Sequence, residues 1–132
     1  MHGSQPGYGV KQSSQFLISK STDDGLTWSE PRNITRQVKK EKWWLLAPGP
    51  GRGITMEDGT LVFPVEGRNE DGLQFSTIMW SKDKGENWTV GEPAYYNTNE
   101  CQVVELSDHS LMLNMRERSN RGRQEGNGRA IA

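Results

Sequence analysis

One eight-residue pattern occurs twice in this sequence, each time directly after a short apolar stretch. The first copy, Ser21 to Trp28, reads Ser-Thr-Asp-Asp-Gly-Leu-Thr-Trp, and the second, Ser81 to Trp88, reads Ser-Lys-Asp-Lys-Gly-Glu-Asn-Trp. The aspartate can accept hydrogen bonds from following backbone N–H groups, the glycine can adopt a positive φ, and the tryptophan can bury a large ring. The pattern therefore predicts a structural turn between β-strands, without chemistry of its own.

A second repeat is less obvious. Residues 107–116 align with residues 57–66 at an offset of 50 positions, so that two turn-forming clusters and the apolar stretches after them coincide. In this alignment Glu66 corresponds to Arg116. The chain is therefore expected to form the same hairpin twice, with Glu66 and Arg116 facing the same end of the fold.

The second of these hairpins is expected to span Asn99 to Arg116, because two stretches rich in β-branched and long apolar residues flank the turn formers at 107–110. Folding it about the middle of the turn places Arg116 opposite Cys101. Glu100 and Arg116 then become diagonal neighbours. An acid and a base are predicted to meet at one rim of the sheet.

The predicted fold class is all-β. No segment keeps apolar residues at helical spacing over three turns, whereas 15 Gly, 6 Pro and 5 Trp suit short strands joined by turns. For the unit between the two copies of the pattern we expect four strands. The first ends near Thr55, the second spans Leu61–Val65, the third spans Leu73–Trp80, and the fourth runs from Trp88 to about Gly91. Antiparallel four-stranded units that repeat in this way are typical of β-propeller blades.

The repeats also predict the domain organisation. Residues 1–14 are expected to form a loop, 15–36 the last hairpin of one blade, 43–96 a complete blade, and 97–132 the first part of the next blade. A closed propeller needs at least about four blades. The chain is therefore expected to be a segment, about two blades long, of one larger propeller domain.

Charge and apolar pattern exclude several classes of partner. A net charge of −1 gives no long-range attraction for nucleic acid, and no apolar stretch is long enough to span a bilayer. Two basic tracts are expected to be solvated loops: Lys39 to Lys42, and Arg116 to Arg123 with the exception of Arg116 itself.

The single cysteine excludes an internal disulfide and a zinc cluster. Cys101 lies within a predicted strand and is expected to be a buried, inert thiol. A nucleophilic pair of Cys101 and His109 is discarded, because the hairpin places these residues at opposite ends. Asp23, Asp24 and Asp83 lack the ligand count of a calcium loop, so no metal is expected.

The chain resembles the exo-α-sialidases (neuraminidases), in particular the bacterial, non-viral type. The resemblance covers nearly all of residues 16–132, and three further stretches carry it: residues 47–54, residues 59–64 and Asn99-Glu100-Cys101-Gln102-Val103. It identifies the two copies of the repeated pattern as Asp-boxes, also called BNR repeats. Their structural residues are Ser21, Asp23, Gly25, Trp28, Ser81, Asp83, Gly85 and Trp88.

The resemblance implies a six-bladed propeller that hydrolyses terminal sialic acid with retention. Members of the family hold the sialic acid carboxylate with three arginines, use a tyrosine nucleophile polarised by a glutamate, and use an aspartic acid as acid/base. By motif position, Glu100 is similar to that glutamate and Arg116 to the middle arginine. It also implies no cofactor, a sialylated glycan as partner, and a secreted or periplasmic location.

The other catalytic groups of the family match no residue of this chain. Tyr8, Tyr95 and Tyr96 lie in no matching motif. We expect the first arginine and the aspartic acid before residue 1, and the tyrosine and last arginine after residue 132. The segment alone is therefore expected to be inactive.

Further site residues and two other functions stay open at this point. Glu66 and Arg68 are candidates for contact with the sugar or for a structural ion pair, and Trp43 and Trp44 for a glycan-binding face or for burial between blades. The alternatives to hydrolysis are a non-catalytic glycan-binding or scaffold propeller, which keeps its Asp-boxes, and a trans-sialidase. Flanking sequence with the tyrosine and third arginine would favour an enzyme.

Overall fold

The computed structural model describes residues 3–118 and 128–132, and its regular structure in these ranges is almost entirely β. The strands and the single helix have the following bounds: β1 Leu17–Ile18, β2 Arg32–Asn33, α1 Thr35–Val38, β3 Leu45–Pro48, β4 Ile54–Thr55, β5 Leu61–Arg68, β6 Gln74–Ser81, β7 Thr89–Val90, β8 Tyr95–Tyr96, β9 Thr98–Glu105, β10 Leu111–Glu117 and β11 Arg129–Ile131. The all-β prediction is confirmed. It did not include the one-turn helix α1.

The strands form three antiparallel sheets. The N-terminal sheet pairs β1 with β2, and the C-terminal sheet has the order β11-β10-β9. In the central sheet, β5 pairs with β6 along their full lengths. Both β3 and β4 pair with the other edge of β5, and both β7 and β8 pair with the other edge of β6. The central sheet is thus a four-stranded unit whose two outer strands are each interrupted.

The central sheet is buried on both faces because its side chains alternate in direction. Phe63 and Val65 face the N-terminal sheet, whereas Val62 faces the C-terminal sheet. The first core consists of Phe16, Ile34, Val38, Trp43, Leu46, Val65, Phe75, Met79 and Trp88. The second consists of Val62, Cys101, Val103, Leu113 and Met115. The same alternation places Glu66, an even-numbered residue of β5, on the side of the C-terminal sheet.

Each Asp-box is closed by the same set of hydrogen bonds. In the second box, Ser81 Oγ accepts the Gly85 N–H at 2.9 Å, Asp83 Oδ1 accepts the Asn87 N–H at 2.8 Å, and Trp88 Nε1 donates to the Gly85 carbonyl at 3.0 Å. The first box repeats these bonds at 2.8, 2.9 and 3.1 Å. Its glycine has a φ of 87° and Gly85 one of 90°. The predicted turn chemistry is confirmed in both copies.

The two box tryptophans differ in burial, and here one prediction is wrong. Trp88 is 5% exposed and packs on Phe63, with the ring centroids 5.5 Å apart. Trp28 is 64% exposed. The second box borders a sheet whose strand β5 supplies Phe63, whereas β1 and β2 form a sheet of only two strands with no equivalent ring. The box closes the turn in both places, but burial of its tryptophan depends on the adjoining sheet.

The acid of the second box makes the stability of the chain depend on pH. Hydrogen bonds from the backbone and side-chain amides of Asn87 lower the pKa of Asp83 from 3.8 to about 2. An acid whose pKa is lowered by folding stabilises the fold above its unfolded pKa, and that contribution is lost as the pH falls through its folded pKa. The stability difference between the wild type and Asp83→Asn should therefore shrink as the pH falls from 4 to 2.

Urea unfolding at several pH values between 2 and 5 measures this difference. Glu86→Gln, which removes another exposed acid of the same turn, controls for the loss of one negative charge. A difference between wild type and Asp83→Asn that stays constant over this pH range would contradict the prediction.

The fifty-residue repeat is visible in the hydrogen bonds of its two turns. In the second turn, the Leu106 N–H donates to the Ser110 carbonyl at 2.8 Å, and Asp108 Oδ1 accepts the Ser110 N–H at 3.0 Å. Residues 56–60 form the same two bonds, each of 2.8 Å. His109 has a φ of 64° at the position where the first turn has a glycine with a φ of 87°. Histidine therefore occupies the left-handed conformation that the repeat requires.

The lysine tract forms the predicted loop, with Glu41 and Lys42 exposed, but the prediction that it is solvated throughout is wrong at Lys39. Lys39 is buried, and its Nζ donates to the carbonyls of Gly7 and Lys40 at 2.9 and 3.3 Å. Burial lowers the pKa of Lys39. The Gly7 carbonyl comes from the loop before β1, which packs beside α1. Of the second basic tract, residues 119–127 lie outside the described residues. No described helix has the length and apolar composition that crossing a bilayer requires.

Candidate active site

A β-bulge at Glu100 shapes one end of the C-terminal sheet. From Leu111 to Met115 the register of β10 on β9 is regular, with Met115 opposite Cys101. Arg116 then lies opposite Asn99, which leaves Glu100 as the extra residue of β9. The predicted pairing of Arg116 with Cys101 is wrong, since the turn centres on Asp108 rather than between Asp108 and His109, and a bulge follows. A bulge re-aims a side chain, and here that side chain belongs to Glu100.

The bulge brings the predicted acid and base together. Arg116 Nη1 lies 2.7 Å from Glu100 Oε2, and Arg116 Nε donates to Asn99 Oδ1 at 2.9 Å. Two neighbouring residues of β9 therefore hold the guanidinium in one orientation. The Arg116 and Glu100 side chains remain 40% and 43% exposed. The pair is fixed by the protein and also open to a ligand.

This arrangement combines two chemical capacities. A guanidinium held in a fixed plane can bind a carboxylate through two parallel charge-assisted hydrogen bonds, which a lysine cannot reproduce. The Glu100 carboxylate beside it can accept a proton from a neighbouring hydroxyl. The sequence pattern predicted no role for Asn99, although Asn99 directly precedes Glu100. The contact of Asn99 with Arg116 depends on the bulge, and the sequence pattern did not predict this bulge.

Glu66 lies beside this pair, and Arg68 does not contact it. Burial raises the pKa of the Glu66 carboxyl, and the Glu100 carboxylate raises it further, while the Glu100 backbone N–H and Arg116 act in the opposite direction. Arg68 is exposed at the end of β5. Within residues 3–118 and 128–132, neither Glu66 nor Arg68 forms an ion pair. Among the described residues, the structural ion pair that was the alternative role for Glu66 and Arg68 is therefore absent.

Burial settles the expectations for two other side chains. Trp43 is buried and its ring lies 4.6 Å from that of Phe75, so it belongs to the core and does not offer a face to a glycan. Cys101 is buried, and burial raises the pKa of its thiol to about 11. The predicted burial of this thiol is confirmed. Trp44 is half-buried, and its Nε1 donates to the Glu70 carbonyl at 3.1 Å.

Among the described residues, one group of side chains could ligate a metal ion. Glu57, Glu105 and His109 place their ligand atoms within 4.8 Å of one another. His109 Nδ1 lies 3.1 Å from Glu105 Oε1 and 3.3 Å from Glu57 Oε2. The group joins the turns of the two repeated hairpins, at the end of β9 that lies farthest from Glu100. It is therefore separate from the site of Glu100 and Arg116.

Together these features define the class of the protein. Antiparallel blades closed by Asp-box turns, with a carboxylate and an arginine at one end of a blade, are those of a β-propeller segment. The chain belongs to the family described as "BNR repeat-like domain", whose model matches residues 2–125. The number of blades in the whole propeller stays a prediction.

Relatives of known name agree with this family. The chain is 50% identical over 129 residues to a sialidase of Bacteroides fragilis, a match that covers 98% of this chain and 23% of the relative. The match to the solved structure of Hadza microbial sialidase Hz136 covers 97% of this chain and 24% of the sialidase chain, with 48% identity and a TM-score of 0.89. The match to the intramolecular trans-sialidase of Ruminococcus gnavus covers 80% of this chain and 22% of the trans-sialidase chain, with 29% identity and a TM-score of 0.69. The chain thus spans about a quarter of the length of the relatives it matches.

Proposed function

We propose that this chain is part of an exo-α-sialidase, which hydrolyses terminal sialic acid from glycoconjugates with retention. The observation that carries this proposal is the contact of 2.7 Å between Glu100 and Arg116 beside the bulge. Similarity to the sialidase of Bacteroides fragilis and to Hadza microbial sialidase Hz136 supports it. The segment by itself is proposed to be inactive, because no tyrosine of this chain lies in the family's nucleophile motif.

Each residue of the pair has a proposed role. Arg116 binds the carboxylate of sialic acid through its planar guanidinium. Glu100 acts as the base for a tyrosine nucleophile supplied by another part of the protein. The reacting carbon carries the substrate carboxylate, which would repel a charged nucleophile, and a neutral tyrosine polarised by a nearby base avoids this repulsion. Sialidases are known as the glycosidases with a tyrosine nucleophile.

Glu66 and Arg68 are proposed to line the same end of the site. Both are even-numbered residues of β5 and therefore point towards the C-terminal sheet. Arg68 is exposed and carries a charge that is free to meet a polar group of the substrate. Glu66 is half-buried next to Glu100. Contact with hydroxyl groups of the sugar is the role proposed for Arg68.

The experiment that tests the proposed function is release of a fluorogenic aglycone from an α-sialoside by the full-length protein that carries this segment. We expect turnover by the folded wild type. We also expect Arg116→Lys to lower kcat/KM by about 10- to 100-fold, because lysine keeps the charge but loses one charge-assisted hydrogen bond to the substrate. Arg32→Lys, whose guanidinium contacts backbone carbonyls at the second Asp-box, is the matched control.

Full-length protein that is folded but cannot release the aglycone would contradict the proposal and favour a non-catalytic, glycan-binding propeller. The second candidate function is a trans-sialidase, which the similarity to the Ruminococcus gnavus enzyme favours. Product analysis separates the two enzymes, because a hydrolase releases free sialic acid, whereas a trans-sialidase yields another sialyl product. A sialylated glycan is the proposed partner in each case.

A further inference from the structure

The bulge at Glu100 is fastened to the central sheet on both of its flanks. On one side, Ser76 Oγ of β6 donates to the Asn99 carbonyl at 2.7 Å. On the other, Cys101 Sγ donates to the Val65 carbonyl of β5 at 3.5 Å. Two residues that flank the extra residue are therefore tied to two neighbouring strands of another sheet. Neither of these two contacts involves Glu100, the middle residue.

Glu66 is the side chain of the central sheet that faces this middle residue. It follows Val65 on β5 and lies opposite Ser76 on β6, so it is flanked by the two residues that contact Cys101 and Asn99. The Glu100 backbone N–H lowers the pKa of the Glu66 carboxyl, and the Glu100 carboxylate raises it. In the regular part of a ladder a neighbouring strand satisfies alternate N–H groups, but a bulge leaves the extra residue unpaired. A Glu66 carboxyl oxygen that accepted this N–H would satisfy it from the neighbouring sheet.

The burial of Glu66 has a further consequence. Its Oε2 is buried and has no hydrogen-bond partner among the described residues. Such an oxygen is destabilising, and an apolar side chain of similar size would avoid the unfavourable burial. A carboxyl kept at this position therefore points to a role outside stability. Burial and the Glu100 carboxylate both raise the pKa of this carboxyl.

We propose that Glu66 is a positioning residue, which holds the bulge at Glu100 across the boundary between the two sheets and thereby aims the Glu100 carboxylate at Arg116. The kinetic part of this inference rests on the proposed function, whereas its structural part does not. It differs from direct contact of Glu66 with the sugar, which would act on substrate binding.

Amide hydrogen exchange of the 132-residue chain, measured by NMR, tests the structural part. In Glu66→Met, which is similar in size and has no strong acceptor, the Glu100 N–H should exchange about tenfold faster or more. In Glu66→Gln, whose side-chain carbonyl can still accept, exchange should stay close to that of the wild type. The amide of Val103, in the regular part of β9, reports on global stability. Its exchange rate should be the same in both variants as in the wild type.

Unchanged exchange of Glu100 in Glu66→Met would overturn the inference, as would acceleration spread evenly over β9 or a Gln variant that behaves like the Met variant. In the full-length protein, Glu66→Met should lower kcat by about 10- to 100-fold with KM nearly unchanged, because a displaced base acts on the chemical step. Glu66→Gln should restore most of kcat. A rise in KM with constant kcat would instead show direct contact with the sugar. An inactive wild type would refute the proposed function but leave the exchange result valid.

Discussion

Replacement of Glu100 by glutamine should lower the turnover of the full-length protein by about 10²- to 10⁴-fold, the range that general-base catalysis contributes. Glutamine has nearly the same shape and can still accept a hydrogen bond from Arg116, so the bulge and the guanidinium should keep their places. What it cannot do is take a proton from a neighbouring hydroxyl. The loss should therefore appear equally in kcat and in kcat/KM.

A matched control lies on the same strand. Glu105 is at the opposite end of β9, where it accepts the Glu57 N–H at 3.0 Å and contacts His109. Glu105→Gln should leave turnover within about twofold of the wild type, because Glu105 lies at the end of β9 away from the site. Steady-state kinetics with a fluorogenic α-sialoside and a thermal unfolding midpoint for each variant complete the test. Equal turnover of Glu100→Gln and wild type would exclude Glu100 as the base.

The second large effect concerns stability. Trp88→Ala should lower the free energy of unfolding of the chain by about 3–5 kcal/mol, the usual range for a buried aromatic residue. Trp88 is 5% exposed and joins the core cluster that includes Phe63 at its edge. Removing the ring leaves a cavity between the second Asp-box and the central sheet. Urea unfolding monitored by circular dichroism measures the change.

The first Asp-box provides the comparison for this experiment. Trp28 makes the same Nε1 hydrogen bond to its box glycine but is 64% exposed. Trp28→Ala should therefore change the free energy of unfolding by less than about 1 kcal/mol. If both substitutions have the same effect, the hydrogen bonds of the box rather than burial of the ring would account for the stabilisation by tryptophan.

Much of the fold follows from local patterns in the sequence. Two Asp-boxes and two aligned turns are each encoded within a few consecutive residues, because their hydrogen bonds join neighbours in the chain. The strands β5 and β6 begin and end within a few residues of their predicted bounds for the same reason. The positive φ of His109 also has a local origin, since His109 occupies the glycine position of a repeated turn.

The features that the sequence did not predict depend on contacts between distant segments. The burial of Lys39 requires the Gly7 carbonyl, and the exposure of Trp28 follows from the small size of its sheet. The candidate site shows the same division. The motif around Glu100 predicted that it would meet Arg116, but the bulge that brings them together is held by Ser76 and Val65, far away in sequence. A hairpin considered alone gives the wrong register.

The buried thiol next to this bulge makes the integrity of the site measurable without a substrate. Cys101 is the only cysteine of the chain, and its thiol contacts the Val65 carbonyl across the boundary between two sheets. An alkylating reagent reacts with the thiolate, so it can modify Cys101 only when that boundary opens. The alkylation rate is thus a readout of sheet separation at the residue adjoining Glu100. Such a chemical footprint can distinguish a variant that has lost its catalytic group from one that has lost its architecture.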